Sequence, residues 1–285
     1  MNLRSGNKLP RWRKIPKSEL PRAEIYLRAL ERFCVAACAR FLHIGENRGH
    51  VWQLPKRDGE ISAILIHSRR ILFPVFGGNF RIPGPRFLSR FLGKVPIHAV
   101  QGLREDAEIL EGLMHKQGYI AAEKIDYHLM SLDNAPEAAR AGPAGLKLRS
   151  PLPEDEENLF TLQSAYEQEE VLSVKSVFNP AVSRLNLQQL LSREQVLLAE
   201  LNGQVVGKIN TSAQSFTRYQ IGGVYVRPDC RGFGIGAKMT EVFAQGLLAQ
   251  GRGLTLFVKK RNTAACKLYR KAGFSIQADY RITYY

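Results

Sequence analysis

Three glycines in residues 231–236 form a pattern that favours phosphate binding. The turn consists of Arg231, Gly232, Phe233, Gly234, Ile235 and Gly236, and it lies between a strand-like apolar run and a helical pattern that begins at Ala237. The first amides of a helix have no intrahelical acceptor, and the helix dipole favours negative charge there. Glycines also let the main chain approach an anion closely. We therefore predict a phosphorylated ligand here; a turn that only packs a helix against a strand is the alternative.

The residues that follow this turn exclude two common nucleotide sites. A P-loop needs a lysine followed by Ser or Thr after its last glycine, whereas Lys238 is followed by Met239. A dinucleotide site needs an acidic residue about twenty positions on, at the end of the next strand. The next predicted strand, residues 254–258, ends instead in three basic residues. Basic residues suit a phosphorylated ligand better than a ribose diol.

A second pattern follows that strand. Asn262, Ala265 and Tyr269 precede a Gly-Phe pair in the arrangement N-x-x-A-x-x-L-Y-x-x-x-G-F. Together with the glycine turn and the strand before it, this pattern resembles the GNAT superfamily of N-acyltransferases. The resemblance covers residues 195–285 and implies that family's fold for the second half of the chain.

The resemblance implies acetyl-CoA as co-substrate and no metal. The coenzyme contacts that it implies are Val224, Tyr225, Val226, Arg231, Gly232, Phe233, Gly234, Ile235, Gly236, Ala237, Asn262, Ala265 and Tyr269. Residues 224–226 would pair with the pantetheine arm as another strand would. Tyr269 would also act as the general acid that protonates the departing thiolate. A core tyrosine with a bonded hydroxyl is the alternative.

The sequence leaves the general base open. Many relatives carry a glutamate five positions before the asparagine of the second pattern, and Phe257 stands there in this chain. Glu169 and Glu170 are candidates that could hold or deprotonate an amine, and an exposed acidic helix face is the alternative. Further candidates are Glu167, Glu200, Tyr225, the terminal carboxylate of Tyr285 and a chain of waters.

Charge and cysteine content limit the class of protein. The net charge is +15, and residues 1–17 and 61–104 contain no Asp or Glu. This balance favours nucleic-acid binding, a solvated basic surface or attraction to a polyanionic cofactor. Cys34 and Cys38 lie four apart without a partner pair at metal-ligand spacing, so we predict two buried thiols. The chain shows no secretory signal or transmembrane run, so we expect a cytoplasmic protein.

Periodicity predicts the remaining elements. The predicted helices cover residues 18–43 and 104–117, the latter closed by Gly118, and another begins at Pro153. The predicted strands cover residues 61–66 and 71–76 as one hairpin, 95–100, 120–132, and 195–200 with 205–211 as a second hairpin. Asn202 and Gly203 form the turn of that second hairpin.

This order of elements predicts a mixed α+β fold with two domains. We expect a basic arm at 1–17, a degenerate GNAT-like domain at 18–132, a linker at 133–145 and a GNAT domain with a splayed, helix-flanked sheet at 146–285. An unrelated α+β cap is the alternative for the first domain. Its turn at 102–106 carries acids where the second half has glycines, so we predict that the first half does not bind coenzyme A.

The function that these features predict is acetyl transfer from acetyl-CoA to a primary amine by direct attack. The acceptor, a small molecule or a protein, and the oligomeric state stay open. A catalytically weak acyl-CoA sensor or scaffold is the second hypothesis, and a basic nucleic-acid binder is the third.

Overall fold

The structure is a computed structural model that describes residues 11–45, 49–56, 58–78, 91, 95–134, 141–172 and 176–285. Most of the predicted basic arm and the middle of the predicted linker lie outside these residues. The described chain divides into two compact units, Met1–Ile125 with Tyr280–Tyr285 and Asp126–Asp279. Each unit combines helices with strands of both orientations, which confirms the predicted α+β class.

The division into units falls at Ile125 and Asp279, whereas we predicted a linker at 133–145. The last six residues pack with the first unit, which local sequence patterns do not reveal. That residues 18–132 and 146–285 are two related domains stays a prediction, because contacts show how a chain packs and not how it arose.

The first unit is built on five strands and the end of the last strand of the chain. Its elements are β1 (Arg13–Lys14), α1 (Leu20–Ala29), α2 (Val35–Leu42), β2 (His50–Pro55), β3 (Ile61–Ser68), β4 (Ile71–Val75), β5 (Ala99–Leu103) and α3 (Arg104–His115). Strands β1 to β5 lie in sequence order. The pairs β2–β3 and β3–β4 are antiparallel, which confirms the predicted hairpin, and β4–β5 is parallel.

Two predicted elements of the first unit differ from the structure. The helix predicted at 18–43 is broken by a 3-10 turn, Glu31–Phe33. Hydrogen bonds from each amide to the third residue back tighten the chain there, and apolar periodicity does not register such a change. The strand predicted at 95–100 begins only at Ala99, and Pro96 has no amide to join a ladder.

The turn predicted as the counterpart of the glycine turn, residues 102–106, is also placed differently. It follows β5, the second strand of the parallel pair β4–β5. In the second unit, the segment that corresponds to residues 102–106 therefore follows the second strand of the parallel pair. The counterpart of the glycine turn itself follows β4, at Gly77 and Gly78, which both have positive φ.

The second unit contains the candidate site. Its elements are β6 (Glu123–Leu132), β7 (Leu146–Arg149), α4 (Glu156–Tyr166), a π-helical turn (Glu167–Val171), α5 (Pro180–Arg193), β8 (Val196–Leu201), β9 (Gln204–Gln214), β10 (Arg218–Val226), α6 (Ile235–Leu248), β11 (Gly253–Lys259), α7 (Thr263–Lys271) and β12 (Ser275–Tyr284). Its strands follow the order β12-β6-β11-β10-β9-β8-β7. Asn202 and Gly203 have positive φ and join β8 to β9, as predicted.

The two central strands of this unit diverge. β10 and β11 are parallel, and their pairing runs from Arg218 with Gly253 to Ile221 with Leu256. Beyond that point β10 continues to pair with β9, and β11 continues to pair with β6. The carboxyl ends of β10 and β11 therefore separate, and the turn that leads into α6 begins at the end of β10.

Apolar packing fixes this arrangement. One face of α6 is buried on the strands that diverge beside it. The buried apolar side chains of α6 are Ile235, Met239, Phe243, Ala244 and Leu247, and those of β11 are Leu254, Leu256 and Val258. Among the described residues, no helix is long and apolar enough to cross a membrane.

Candidate active site

The glycine turn places unpaired amides at the start of α6. Gly232 and Gly234 have φ of +86° and +82°, which favours glycine at both positions. Gly234 is the N-cap residue of α6, and no side chain caps the helix. The amide of Lys238 donates the first helical hydrogen bond, to the Gly234 carbonyl at 3.0 Å. The preceding amides, at residues 235–237, thus point out of the helix start, where an anion would be stabilised.

The third glycine of the turn has a different role. A Cβ on Gly236 would lie 3.2 Å from Cδ1 of Leu268 on α7. A Cβ on Gly232 or Gly234 would meet nothing within 4 Å. Gly236 therefore allows the close approach of α6 to α7, whereas the first two glycines allow the turn.

The predicted strand edge lies where β10 has left β11. Val224 and Val226 are half-buried and Tyr225 is buried, and all three follow the last β10–β11 pair. The β9–β10 register is irregular between Gly222 and Tyr225, so the strand bends here. Beyond Ile221 this edge no longer pairs with β11, and the Val226 carbonyl accepts from Arg231 Nε at 2.9 Å.

The start of α7 brings together the residues of the second pattern. Asn262 caps α7, and its Oδ1 accepts from the Ala265 amide at 3.1 Å. Its Nδ2 donates to Glu170 Oε1 at 3.3 Å. Tyr269, one turn after Ala265, is 8% exposed and packs edge-on against Phe274. Asn262 caps the short helix that carries Tyr269. This helix follows β11, beside the opening between the carboxyl ends of β10 and β11, as the sequence pattern requires.

Burial affects the acidity of the Tyr269 hydroxyl. Burial raises the pKa of its hydroxyl well above the usual value, and the charges of Tyr166 and Glu170 raise it further. The hydroxyl therefore stays protonated at neutral pH and can donate. Within the described part of the chain it has no hydrogen-bond partner.

The acidic segment that follows α4 contacts both sides of the opening. Glu169 accepts two hydrogen bonds from Arg231 in the glycine turn, at 2.9 and 2.7 Å. Glu170 lies 3.0 Å from Nζ of Lys259 at the end of β11, in addition to its contact with Asn262. The hydrogen bonds from Arg231 hold the pKa of Glu169 below its usual value. A carboxylate with a lowered pKa is a weaker base, so this ion pair disfavours Glu169 as the group that receives a proton.

Two other candidate bases are engaged elsewhere. Glu200 accepts from Arg149 Nε at 3.0 Å, and the same guanidinium binds Asp155 at 2.6 and 2.9 Å, so this group ties β7 to β8. Tyr285 belongs to the first unit, where its ring meets that of Tyr119 edge-on. Neither contact points to proton transfer at the opening between β10 and β11.

Sequence patterns missed one buried group near the site. Lys208 on β9 is fully buried, and Glu167, on the π-helical turn after α4, is 9% exposed. Burial lowers the pKa of Lys208 to about 7, while the charge of Glu167 opposes this shift. A lysine at an alternating position of a strand is usually solvated, so only the packing reveals it.

Comparison with known proteins shows what this part of the chain is similar to. Residues 159–274 match the model of the acetyltransferase (GNAT) family. The match lies within the second unit. The match spans the glycine turn, Asn262 and Tyr269, which confirms the resemblance derived from the sequence patterns. No curated protein sequence matches the chain.

Solved structures share the fold over nearly the whole chain. A Drosophila protein is similar with a TM-score of 0.66 and 12% identity, over 96% of this chain and 98% of that one. A GCN5-related N-acetyltransferase from Sphaerobacter thermophilus has a TM-score of 0.59 and 21% identity, over 97% and 96%. A tandem GNAT protein from the clavulanic acid biosynthesis pathway has a TM-score of 0.60 and 12% identity, over 96% and 97%. At these identities the likeness shows the fold, and the family supports acyl transfer as the class of reaction.

Proposed function

We propose that this protein is an N-acetyltransferase that transfers the acetyl group of acetyl-CoA to a primary amine of an unidentified acceptor. The observation that carries the proposal is the divergence of β10 and β11 beside the uncapped start of α6. These two features suit the two parts of the coenzyme. Free amides at a helix start suit its diphosphate, and an unpaired strand edge suits its amide-bearing arm.

The coenzyme would bind through main-chain groups. The amides at residues 235–237 would donate to the diphosphate, and the edge at 224–226 would pair with the pantetheine arm. Asn262 and Ala265 would line the opposite side of the arm, next to Tyr269. Side chains contribute little to such contacts, so the geometry of the turn and of the bend in β10 would determine the affinity.

Acyl transfer then needs the movement of two protons. The neutral amine nitrogen attacks the thioester carbon, the new C–N bond forms, and the C–S bond breaks as the tetrahedral intermediate collapses. The amine gives up one proton, and the sulfur receives one from Tyr269, whose phenol is protonated at neutral pH. The products are an amide and a free thiol, and solvent returns the proton to the phenol.

Glu170 is the carboxylate we assign to the amine side. It interacts electrostatically with Tyr269, and its partners Lys259 and Asn262 fix its position. From there it could hold a cationic amine or accept its proton through a water. Glu169 would instead hold Arg231 in place and could serve as base only after that ion pair opens.

The substitution Tyr269→Phe tests the proposal. With acetyl-CoA and a panel of primary amines, we expect free-thiol release to fall by about 100-fold or more, as for loss of a general acid. Coenzyme affinity, measured by calorimetry, should stay within about twofold because the diphosphate site is untouched. Tyr219→Phe is the matched control, since the Tyr219 hydroxyl donates to Gln250 at 3.0 Å, away from α7. Unchanged turnover by Tyr269→Phe would exclude Tyr269 as the acid.

A sensor or scaffold that binds acyl-CoA is the second candidate. Phe257 stands where an acid would be expected, and Glu169 is held in an ion pair. Tight coenzyme binding by the wild-type protein, without thiol release on any amine of the panel, would favour this function over the first.

The charge distribution supports a separate proposal about partners. The first unit carries 23 Lys and Arg against 11 Asp and Glu, and the second carries 18 against 15. A polyanionic partner such as nucleic acid would therefore contact the first unit. Salt-dependent retention on DNA or RNA at physiological ionic strength would support such a partner, and failure to bind at low salt would exclude it.

A further inference from the structure

Lys208 makes contacts that the proposed reaction does not use. Its side chain is fully buried on β9. Nζ donates to Asn210 Oδ1 at 2.9 Å and to the Gly223 carbonyl at 3.0 Å, and it lies 4.9 Å from the centroid of the Tyr166 ring. Burying a charged amine carries a desolvation penalty even when the amine is partnered. A buried lysine that grips one main-chain carbonyl therefore calls for a reason beyond stability.

The carbonyl that Lys208 holds belongs to the bend in β10. Gly223 has φ of +59° and lies between the two residues where the β9–β10 register shifts, Gly222 and Tyr225. A Cβ at position 223 would lie 1.9 Å from Asn210 Oδ1 and 2.7 Å from Lys208 Nζ. The amine and the amide thus fill the space that a side chain would need. The bend is built from a glycine on β10 and two polar side chains on β9.

This bend lies at the point where the central strands separate. Ile221 is the last residue of β10 that pairs with β11, and the bend begins at the next residue. The residues after it, 224–226, form the edge that we assign to the coenzyme arm. A shift of the Gly223 peptide would rotate those groups, because the amide and carbonyl of one strand residue point to the same edge and successive residues alternate between the two edges.

We propose that Lys208 is a positioning residue of the acyl-transfer site, which holds the Gly223 carbonyl so that the main chain after the bend contacts the acyl thioester. The inference rests on the proposed function, because it takes the coenzyme arm to lie along residues 224–226. Lys208 acts through the main chain of β10 and does not touch the reacting atoms.

The chemistry of the amine suits this role in both protonation states. Burial lowers the pKa of Lys208 to about 7, and Glu167 on the turn after α4 is the charged group that opposes the shift. A neutral amine has two N–H groups for its two acceptors. A charged one has a third, which can face the Tyr166 ring. The hydrogen bond from Lys208 to the Gly223 carbonyl therefore persists through neutral pH.

Binding of acetyl-CoA compared with coenzyme A tests this role without requiring an acceptor. If the bend contacts the acyl thioester, the wild-type protein should bind acetyl-CoA more tightly than coenzyme A, by about fivefold for one added hydrogen bond. Lys208→Met should remove this difference and leave the affinity for coenzyme A within about twofold, because the diphosphate site is separate. Lys208→Arg keeps a donor and should retain part of the difference. Lys147→Met, at an exposed lysine on β7, is the matched control and should behave as wild type.

The outcomes separate this inference from the proposed function. A Lys208→Met protein that still discriminates between the two ligands, or a wild type that binds both equally, overturns the inference alone. Equal loss of affinity for both ligands would show a purely structural role and overturns it too. A wild type that binds neither ligand overturns the proposed function and the inference together. Should Lys208→Met lack a cooperative thermal transition, Asn210→Ala removes one partner of the amine, and we expect the same change at smaller size.

Discussion

Both units contain a parallel strand pair that separates, yet they differ at the helix that follows. In the first unit β4 and β5 pair only at Ile71 with Ala99 and Leu72 with Val100. The third residue of the helix after β5 is Asp106, and the third residue of the helix after β11 is Ala265. The Asp106 carboxylate is buried and accepts from the Phe76 amide, one residue after β4, at 3.0 Å.

The difference shows which part of a coenzyme site is provided by the strand topology. Strand divergence follows from the order of the strands, and both units have it. In the first unit a carboxylate fills the space at the start of α3 and holds the chain that leaves β4. In the second unit the corresponding residue is Ala265, whose side chain is a methyl group, and Asn262 caps the helix. That the first half does not bind coenzyme A stays a prediction.

The largest effect is expected at Gly234. Gly234→Asp places a carboxylate beside the amides that we assign to the diphosphate, so coenzyme affinity should fall by about 100-fold, or near 3 kcal/mol. Asp tolerates positive φ, and a Cβ there meets nothing within 4 Å, so the thermal transition should be kept. Gly234→Asn, the neutral control, should lose much less affinity. Equal loss by both variants would show that shape, and not charge, governs the turn.

Local patterns predicted the elements that local chemistry determines. The Asn202–Gly203 hairpin and the glycine turn depend on a few adjacent residues and are found where they were predicted, and the cap at Asn262, which the patterns did not specify, is equally local. These features need positive φ or a side-chain cap, which only certain residue types supply.

Features set by long-range packing were not predictable in this way. The terminal segment Tyr280–Tyr285 packs with the first unit, and no local pattern specifies its partner. Lys208 stands in a strand whose alternation suggests a solvated face, and Tyr166, which contacts its amine, lies on α4, earlier in the chain. The ion pair of Glu169 with Arg231 joins residues 62 positions apart. Contacts of this kind can be identified only when the fold is known.

The second prediction addresses the carboxylate that fills the first unit. Burial raises the pKa of Asp106 to about 6, although the Phe76 amide opposes the shift. The folded protein therefore keeps a proton that the unfolded chain releases between roughly pH 4 and pH 6. The stability linked to this group is present below about pH 4 and is lost as the pH rises through 6.

Asp106→Asn keeps an acceptor for Phe76 and removes the charge. We expect the free energy of unfolding at pH 7 to rise by about 1 kcal/mol and its decline between pH 4 and pH 6 to flatten. Denaturant unfolding at several pH values measures both. Glu154→Gln, at an exposed glutamate of the second unit, should change either quantity little. An unchanged decline in Asp106→Asn would exclude Asp106 as its source.

The smallest effect is expected at the ion pair beside the glycine turn. Glu169→Gln releases Arg231, whose guanidinium can then turn toward the diphosphate. An exposed pair of this kind contributes about 0.5 kcal/mol, so coenzyme affinity should rise by roughly twofold. Glu157→Gln, which breaks the exposed pair with Arg184, is the control and should leave the affinity unchanged. A fall in affinity for Glu169→Gln would mean that Glu169 positions the turn for the coenzyme.

The central claim is that the amides at the start of α6 bind the diphosphate. Amide chemical shifts, followed by NMR as coenzyme A is added, test it directly in both units at once. The account predicts the largest changes at Ile235, Gly236 and Ala237 and none at Gly77 and Gly78. Changes centred on Gly77 and Gly78, or spread over residues far from α6, would contradict it.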